Sequence, residues 1–150
     1  MLEAISLARE NLKLKNGGPF GAVVVKDGKI IGRGMNTVTS ENDPTAHAEV
    51  NAIREACENL QSFQLTDCDI YSSCEPCPMC LGAIYWARPR KLYFAASRDD
   101  AAKAGFDDAI IYREIKLPFM NRKLHTEQFA QSEAVELFDT WIKIESKIEY

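Results

Sequence analysis

Two short segments of the chain carry residue types that together can bind a metal ion. The first, PTAHAE, places an imidazole at His47 and a carboxylate at Glu49. The second, CEPCPMC, ends with two thiols, Cys77 and Cys80, at C-x-x-C spacing. A catalytic zinc site takes three nitrogen or sulfur ligands from the protein and leaves the fourth position to water. We therefore expect His47, Cys77 and Cys80 to hold Zn2+.

The residues around these ligands favour two helix starts. Pro78 follows Cys77 directly, and proline suits the first helical turn because its missing N–H is not needed there. The positive end of the helix dipole favours the thiolate, which is the form that binds metal. In a first helical turn, His47 and Glu49 can both tilt toward one site. A carboxylate beside a zinc-bound water is the usual arrangement for general acid/base work, so we predict that Glu49 is catalytic.

Two other interpretations of the cysteines stay open. A lone C-x-x-C can be a redox pair, although such a pair does not explain the proline-flanked helix start or the His-x-Glu. A closed structural zinc site needs a fourth ligand, and Cys74 stands three residues before Cys77. A closed site would give Glu49 no role.

The pairing of HAE with PCxxC resembles the signature of the zinc-dependent cytidine/deoxycytidylate deaminase superfamily. Four longer segments, GPFGAV, NDPTAHAE, CEPCPMCLGAIYWARP and AGFDD, resemble the bacterial guanine deaminases. The similarity runs from near residue 16 to Tyr150. It implies a zinc-dependent enzyme that hydrolyses guanine to xanthine and ammonia. The fold it implies is α/β, a three-layer α/β/α sandwich with a mixed five-stranded sheet.

Apolar spacing and turn residues predict eight elements. Helices are predicted over residues 2–15, 46–60, 78–86 and 133–148, and strands over 20–25, 29–34, 68–73 and 92–96. Asp27-Gly28 is a hairpin-turn signal, and Thr45 is a plausible N-cap. The strand and helix alternation after the hairpin implies parallel strands with helices on both faces. The two ligand-bearing helix starts should then meet at the ends of adjacent strands, within one domain over residues 1–150.

Candidate substrate contacts come from base chemistry and from the resemblance. Phe20 can stack on a base or pack in the core, and Asn36 can contact a purine edge or form a turn. Guanine presents N–H donors, for which a carboxylate is the natural acceptor. The resemblance favours Asp108 for that role over Asp107, and it also places Ala48 at the substrate.

The C-terminal segment is expected to act in a dimer. Apolar positions from 133 to 148 indicate an amphipathic helix, and the chain ends on an aromatic residue. In the guanine deaminases that the chain resembles, this segment crosses to the partner subunit and covers the site. The resemblance therefore implies a homodimer that exchanges residues of about 130–150. Trp86 and the partner-supplied Tyr150 would help to enclose the base.

Charge and composition bear on the choice of substrate and partner. The chain has 18 Lys and Arg against 22 Asp and Glu, a net charge of −4. Binding a polyphosphate backbone needs clustered cations, so a tRNA adenosine deaminase is a weaker alternative and nucleic acid an unlikely partner. Another small base such as cytosine, and a non-catalytic zinc-stabilised interaction module, also stay open. Metal-binding thiols and the lack of a long apolar run favour a cytoplasmic protein without membrane contact.

Overall fold

The structure is a computed structural model that describes all residues from Met1 to Tyr150. The chain divides into two compact units, Met1–Asp108 and Ala109–Tyr150. The first unit contains the whole β-sheet, and the second is built from helices and loops. None of the helices has the length and apolar composition needed to cross a membrane. Whether the chain acts as a single domain stays a prediction.

The sheet of the first unit has four strands. They are β1 (Gly21–Lys26), β2 (Lys29–Met35), β3 (Cys68–Cys74) and β4 (Lys91–Ala96). Their order is β2-β1-β3-β4, with β1 antiparallel to both of its neighbours and β3 parallel to β4. The predicted mixed sheet is thus confirmed, but the prediction of five strands is wrong. Only the resemblance implied the fifth strand, and beyond Ala96 all regular elements are helical.

The turn between β1 and β2 has the geometry that its sequence predicts. Asp27 and Gly28 both have positive φ, at 49° and 75°, and the flanking residues Lys26 and Lys29 pair with each other. A two-residue turn with both φ values positive matches the right-handed twist of the strands that it joins. Glycine adopts such a φ without steric cost. The hairpin is confirmed.

The helices predicted over residues 2–15, 46–60 and 78–86 are confirmed to within two residues at each end. The helix bounds are α1 (Leu2–Leu14), α2 (Val38–Glu41), α3 (Ala48–Leu60), α4 (Pro78–Ala87), α5 (Arg98–Lys103), α6 (Ala109–Ile115) and α7 (Gln131–Ile142), with a 3-10 turn at Phe119–Asn121. The sequence did not predict three of these helices: α2, α5 and α6. Helix α5 begins with a capping box in which the Ser97 and Asp100 side chains each bind the other's backbone N–H. That pattern is readable in a sequence.

Helices cover both faces of the sheet in the first unit. Along β1 the side chains alternate, as they must in a strand. Ala22 and Val24 belong to the core cluster that contains the buried alanines of α3, whereas Val23 packs with residues of α1. The first unit therefore has three layers, with α1 on one face and α3 and α4 on the other.

Glycines in β2 let α3 lie unusually close to the sheet. A Cβ atom at Gly34 would overlap the Ala48 carbonyl oxygen, and one at Gly32 would overlap the Ala52 carbonyl oxygen. Ala48 and Ala52 are completely buried. Such small residues allow the helix backbone to approach the strand backbone, which places the start of α3 directly over the edge of the sheet.

The side chains of the second unit are mostly exposed. No residue from 109 to 150 is buried, and the apolar side chains of α7 are exposed. Helix α7 ends at Ile142, six residues before the predicted end at 148.

Candidate active site

The two ligand-bearing segments occupy equivalent positions in the fold. His47 is the N-cap of α3 and Cys77 is the N-cap of α4, with Pro78 in the first turn as predicted. The prediction of Thr45 as N-cap is wrong, because its N–H and hydroxyl both donate to the Asp43 carboxylate, each at 2.7 Å. A residue at an N-cap lies outside the helix, so its side chain is free to turn toward a shared site.

Helices α3 and α4 begin at the same end of the strands, but the strands that precede them, β2 and β3, are not adjacent. Helix α3 follows β2 and α4 follows β3, and β1 lies between these strands. The prediction of adjacent strands is therefore wrong. Because Met35 pairs with Gly21 and Ser72 pairs with Ala22, β2 and β3 nevertheless end at the same edge. Helix α3 contacts both β2 and β1, and it also contacts α4.

The structure brings the three predicted metal ligands together. His47 Nδ1 lies 3.6 Å from Cys77 Sγ and 3.4 Å from Cys80 Sγ. The three ligand atoms all lie within 4.8 Å of one another. A tetrahedral ion with Zn–N of about 2.0 Å and Zn–S of about 2.3 Å separates nitrogen from sulfur by about 3.5 Å. The donor set therefore fits zinc in both type and spacing.

Hydrogen bonding and burial shift the pKa values of Cys77 and Cys80 in opposite directions. The Cys80 thiol donates to Cys77, which lowers the pKa of Cys77 to about 4. The same hydrogen bond, together with burial, raises the pKa of Cys80. A hydrogen bond with Cys77 also raises the pKa of His47. Since a metal binds the thiolate form, its binding must release the Cys80 proton.

Cys74, the candidate fourth ligand, lies outside this group. Its thiol donates to the Ser97 carbonyl oxygen at 3.6 Å, and burial raises the pKa of Cys74 to about 11. A neutral thiol already engaged with a backbone carbonyl is a poor metal ligand. The cluster thus offers three protein ligands, as an open zinc site requires.

Glu49 is buried beside the metal ligands, in the first turn of α3. Its negative charge contributes to raising the pKa of both Cys80 and His47. Glu49 Oε1 accepts a hydrogen bond of 2.8 Å from the Ser72 hydroxyl. Sequence reasoning missed Ser72. The available signal was its place in β3, where strict alternation puts this serine on the buried face with Ile70.

Asn36 and Phe20 are neighbours in the fold, and both side chains are held by contacts within the first unit. Asn36 is buried, and its Oδ1 accepts from the N–H groups of Gly18 and Val38. The amide oxygen is therefore engaged as in a turn. The Phe20 ring meets Phe106 edge to face, with centroids 4.9 Å apart, and also packs on the core.

Asn11 in α1 supports this region. Its Nδ2 donates to the carbonyl oxygens of Gly18 and Asn36, both at 2.8 Å. Asn11 is completely buried, and its Oδ1 has no hydrogen-bond partner. A buried amide oxygen without a partner costs free energy, and the two hydrogen bonds from Nδ2 offset part of this cost while holding the loop at Gly18 and Asn36.

The two aspartates at 107 and 108 differ in surroundings. Asp107 is exposed and Asp108 is half-buried. Burial raises the pKa of Asp108 first, and the negative charge of Cys77 raises it further. Asp108 therefore lies within electrostatic reach of the metal ligands.

The other three predicted substrate contacts have different surroundings. The Ala48 side chain belongs to the core cluster, which leaves only its backbone for a ligand. Trp86 is 64% exposed in the last turn of α4, about 9 Å along the helix axis from Cys80. Tyr150 belongs to the second unit and is 71% exposed. Their roles stay predictions.

Comparison with known proteins assigns the family. Residues 1–96 match the cytidine and deoxycytidylate deaminase zinc-binding region. That span contains His47, Glu49 and both cysteines of the cluster. The chain belongs to the cytidine and deoxycytidylate deaminase family.

Two relatives of this deaminase differ in how much of it they cover. The guanine deaminase of Bacillus subtilis (strain 168) is 55% identical over 147 residues, which are 98% of this chain and 94% of the relative. The tRNA-specific adenosine deaminase of Aquifex aeolicus is 37% identical over 83% of this chain and 80% of its own length. Among solved structures, the X-ray structure of guanine deaminase from Bacillus subtilis aligns with a TM-score of 0.96 at 54% identity, covering 99% of this deaminase and 95% of that chain.

Proposed function

We infer that this deaminase removes the exocyclic amine of guanine by hydrolysis, giving xanthine and ammonia. The observation that carries the inference is the 55% identity to Bacillus subtilis guanine deaminase across 98% of the chain. The adenosine deaminase of Aquifex aeolicus is less similar, at 37%. Among the basic residues near β4, Arg90 is already paired with Asp69 through two hydrogen bonds, which weakens the case for a phosphate-binding patch.

The three ligands explain where a nucleophile would arise. His47, Cys77 and Cys80 would hold zinc, and the bound ion would lower the pKa of a water molecule to about 7, which would supply a nucleophile at neutral pH. The two sulfurs and the imidazole nitrogen match this ion in ligand type and spacing. The spacing of the ligands and the absence of Cys74 from their group support an open coordination position rather than a closed structural site.

Glu49 moves the protons. It takes one proton from the attacking water and delivers it to the ring nitrogen next to the amine-bearing carbon. It then takes the second proton from the added oxygen and passes it to the departing amine, which leaves as ammonia. The carbon keeps the oxygen as a carbonyl, and Glu49 returns to its starting charge. Its position beside Cys80 supports this role, because a general acid/base must lie close to the water whose proton it moves.

The base is recognised from several directions. Asp108 accepts the N–H donors of guanine, Asn36 donates from Nδ2 to a ring or carbonyl acceptor, and Phe20 stacks on the ring. The engaged Oδ1 of Asn36 supports a donor role for the remaining amide group. The Ala48 backbone adds a contact at the start of α3. A site built to pair with the N–H groups of guanine rejects bases that lack them.

The enzyme acts as a homodimer in the cytoplasm. The dimer exchanges residues of about 130–150, and Tyr150 of one subunit joins Trp86 of the other over the base. The exposed apolar side chains of α7, including Leu137 and Phe138, support a covered face in the assembly. The five free cysteines fit a reducing compartment.

A substrate panel tests the function. Ammonia release should be measured with zinc-loaded protein on guanine, adenine, cytosine, their nucleosides and tRNA, with metal content determined on the same samples. We expect kcat/KM for guanine to exceed all others by at least about 100-fold. Preference for tRNA or cytosine would replace guanine as the substrate. A zinc-replete sample that is inactive on every amine-bearing base would favour a non-catalytic zinc module.

A further inference from the structure

We propose that Ser72 is a positioning residue that holds the Glu49 carboxylate toward the metal ligands. The inference rests on the proposed function, since Glu49 matters there as the group that moves protons. In this proposal, the orientation of the Glu49 carboxylate depends on a contact with the sheet as well as on its place in α3.

Two hydrogen bonds set the orientation of the Ser72 hydroxyl. The Cys74 N–H donates to Ser72 Oγ at 3.4 Å, and Ser72 Oγ donates to Glu49 Oε1 at 2.8 Å. Because the oxygen already accepts from the backbone, its own proton is directed at the carboxylate. Ser72 is 1% exposed and Glu49 is 5% exposed, so solvent hardly competes for this bond. A hydrogen bond to a charged group is stronger than one between neutral groups.

The anchor is rigid because β3 lies inside the sheet. Ser72 pairs with Ala22 of β1 on one side and with Phe94 of β4 on the other. The carboxylate, by contrast, stands at the end of a side chain with three torsions in the first turn of a helix. Tying Oε1 to the sheet leaves Oε2 as the oxygen that carries the proton. A misplacement of about 1 Å at a reacting group can lower a rate by about 100-fold.

The other serine of β3 does not share this geometry. Ser73, the next residue, points to the opposite face, where its Oγ accepts a 3.0 Å hydrogen bond from the Gly21 N–H. Ser73→Ala therefore removes one serine hydroxyl and one hydrogen bond from the same strand without touching Glu49. It is the matched control for Ser72→Ala.

Steady-state kinetics with guanine separate positioning from simple packing. We expect Ser72→Ala to lower kcat by about 10- to 100-fold, with KM within about two-fold and full zinc content. Ser73→Ala should keep the wild-type kcat. Ser72→Thr and Ser72→Val have nearly the same shape and differ in the hydroxyl, so Thr should restore most of the kcat and Val should not. A Ser72→Ala enzyme with wild-type kcat would overturn the proposal, as would equal kcat values for Thr and Val.

A double mutant and a crystal structure complete the test. In a Glu49→Gln background Ser72→Ala should cause no further loss, because its effect passes through Glu49. Crystals of zinc-loaded Ser72→Ala should show the Glu49 carboxylate turned from its wild-type position, and an unmoved carboxylate contradicts the proposal. This structural readout needs no substrate. A turned carboxylate in a protein that never acts on guanine would therefore retain the role of Ser72 while rejecting the proposed function.

Discussion

The two units of the chain place their apolar residues in opposite ways. In the first unit, the alanines of α3 are completely buried against the sheet, and Glu49 and Ser72 are buried with them. In the second unit, Leu137, Phe138 and Ile142 of α7 are each about two-thirds exposed or more, at 71%, 67% and 67%. Surfaces of that kind on a folded protein mark contact with another molecule.

The difference separates the metal-ligand site of the first unit from the dimer contact that we propose for the second unit. The metal ligands and Glu49 all belong to the first unit, where backbone packing at Gly34 fixes the start of α3. The second unit carries Tyr150 and the apolar helix that we assign to the dimer. Changes in the first unit should therefore abolish chemistry, and changes in the second should act through assembly.

The largest expected effect falls on Glu49. Glu49→Gln keeps the size and burial of the side chain but removes the group that accepts and donates protons. We expect kcat for guanine to fall by about 1,000-fold, with zinc content and melting temperature unchanged. Parallel measurement of ammonia release and zinc content checks this. Near-normal turnover in a zinc-replete sample would remove Glu49 from the mechanism.

A smaller effect is expected at Asp108. Asp108→Ala leaves the N–H groups of guanine without an acceptor, so kcat/KM for guanine should fall by about 10- to 100-fold at constant zinc content. Asp107→Ala is the control, and its kcat/KM should stay within about two-fold. Unaltered guanine kinetics in Asp108→Ala, or a larger loss in Asp107→Ala, would move the base contact elsewhere.

The second unit is tested by mixing two defective subunits. One carries Glu49→Gln and an intact C-terminus, and the other keeps Glu49 but lacks residues 148–150. Each should be weakly active alone. If the tail reaches the site of the partner, co-refolded mixtures should regain about a quarter of wild-type activity, since half of the dimers then hold one complete site.

The control for this mixture is the Glu49→Gln protein co-refolded with a truncated subunit that also carries Glu49→Gln, which should stay inactive. A truncated protein that is fully active alone would contradict the exchange. So would a mixture that gains nothing although size-exclusion chromatography shows that mixed dimers form.

The smallest effect is expected at Cys74. Cys74→Ser should keep one bound zinc and nearly full activity, because the Cys74 thiol faces the Ser97 carbonyl rather than the ligand cluster. Metal analysis and guanine turnover of the purified variant provide the check. Loss of zinc from this variant would revive the closed-site interpretation.

The sequence predicted the parts of the site that depend on residue type and local spacing. His47, Cys77 and Cys80 were readable because ligand chemistry and helix starts restrict them, and Asp27-Gly28 because its turn needs positive φ. Ser72 was not readable as a partner of Glu49, since that contact joins residues 23 positions apart through the fold. The order of β2 and β3 around β1 likewise depends on long-range pairing, and there the sequence analysis was wrong. The residue patterns did predict the four observed strands, and the fifth came only from the resemblance.

The central claim is an ion with three protein ligands and one position open to water. X-ray absorption spectroscopy at the zinc edge measures this directly on the zinc-loaded protein without substrate. We predict two sulfur ligands at about 2.3 Å and two nitrogen or oxygen ligands at about 2.0 Å, one of them from water. A shell with three sulfurs, or one without a solvent oxygen, would contradict the account.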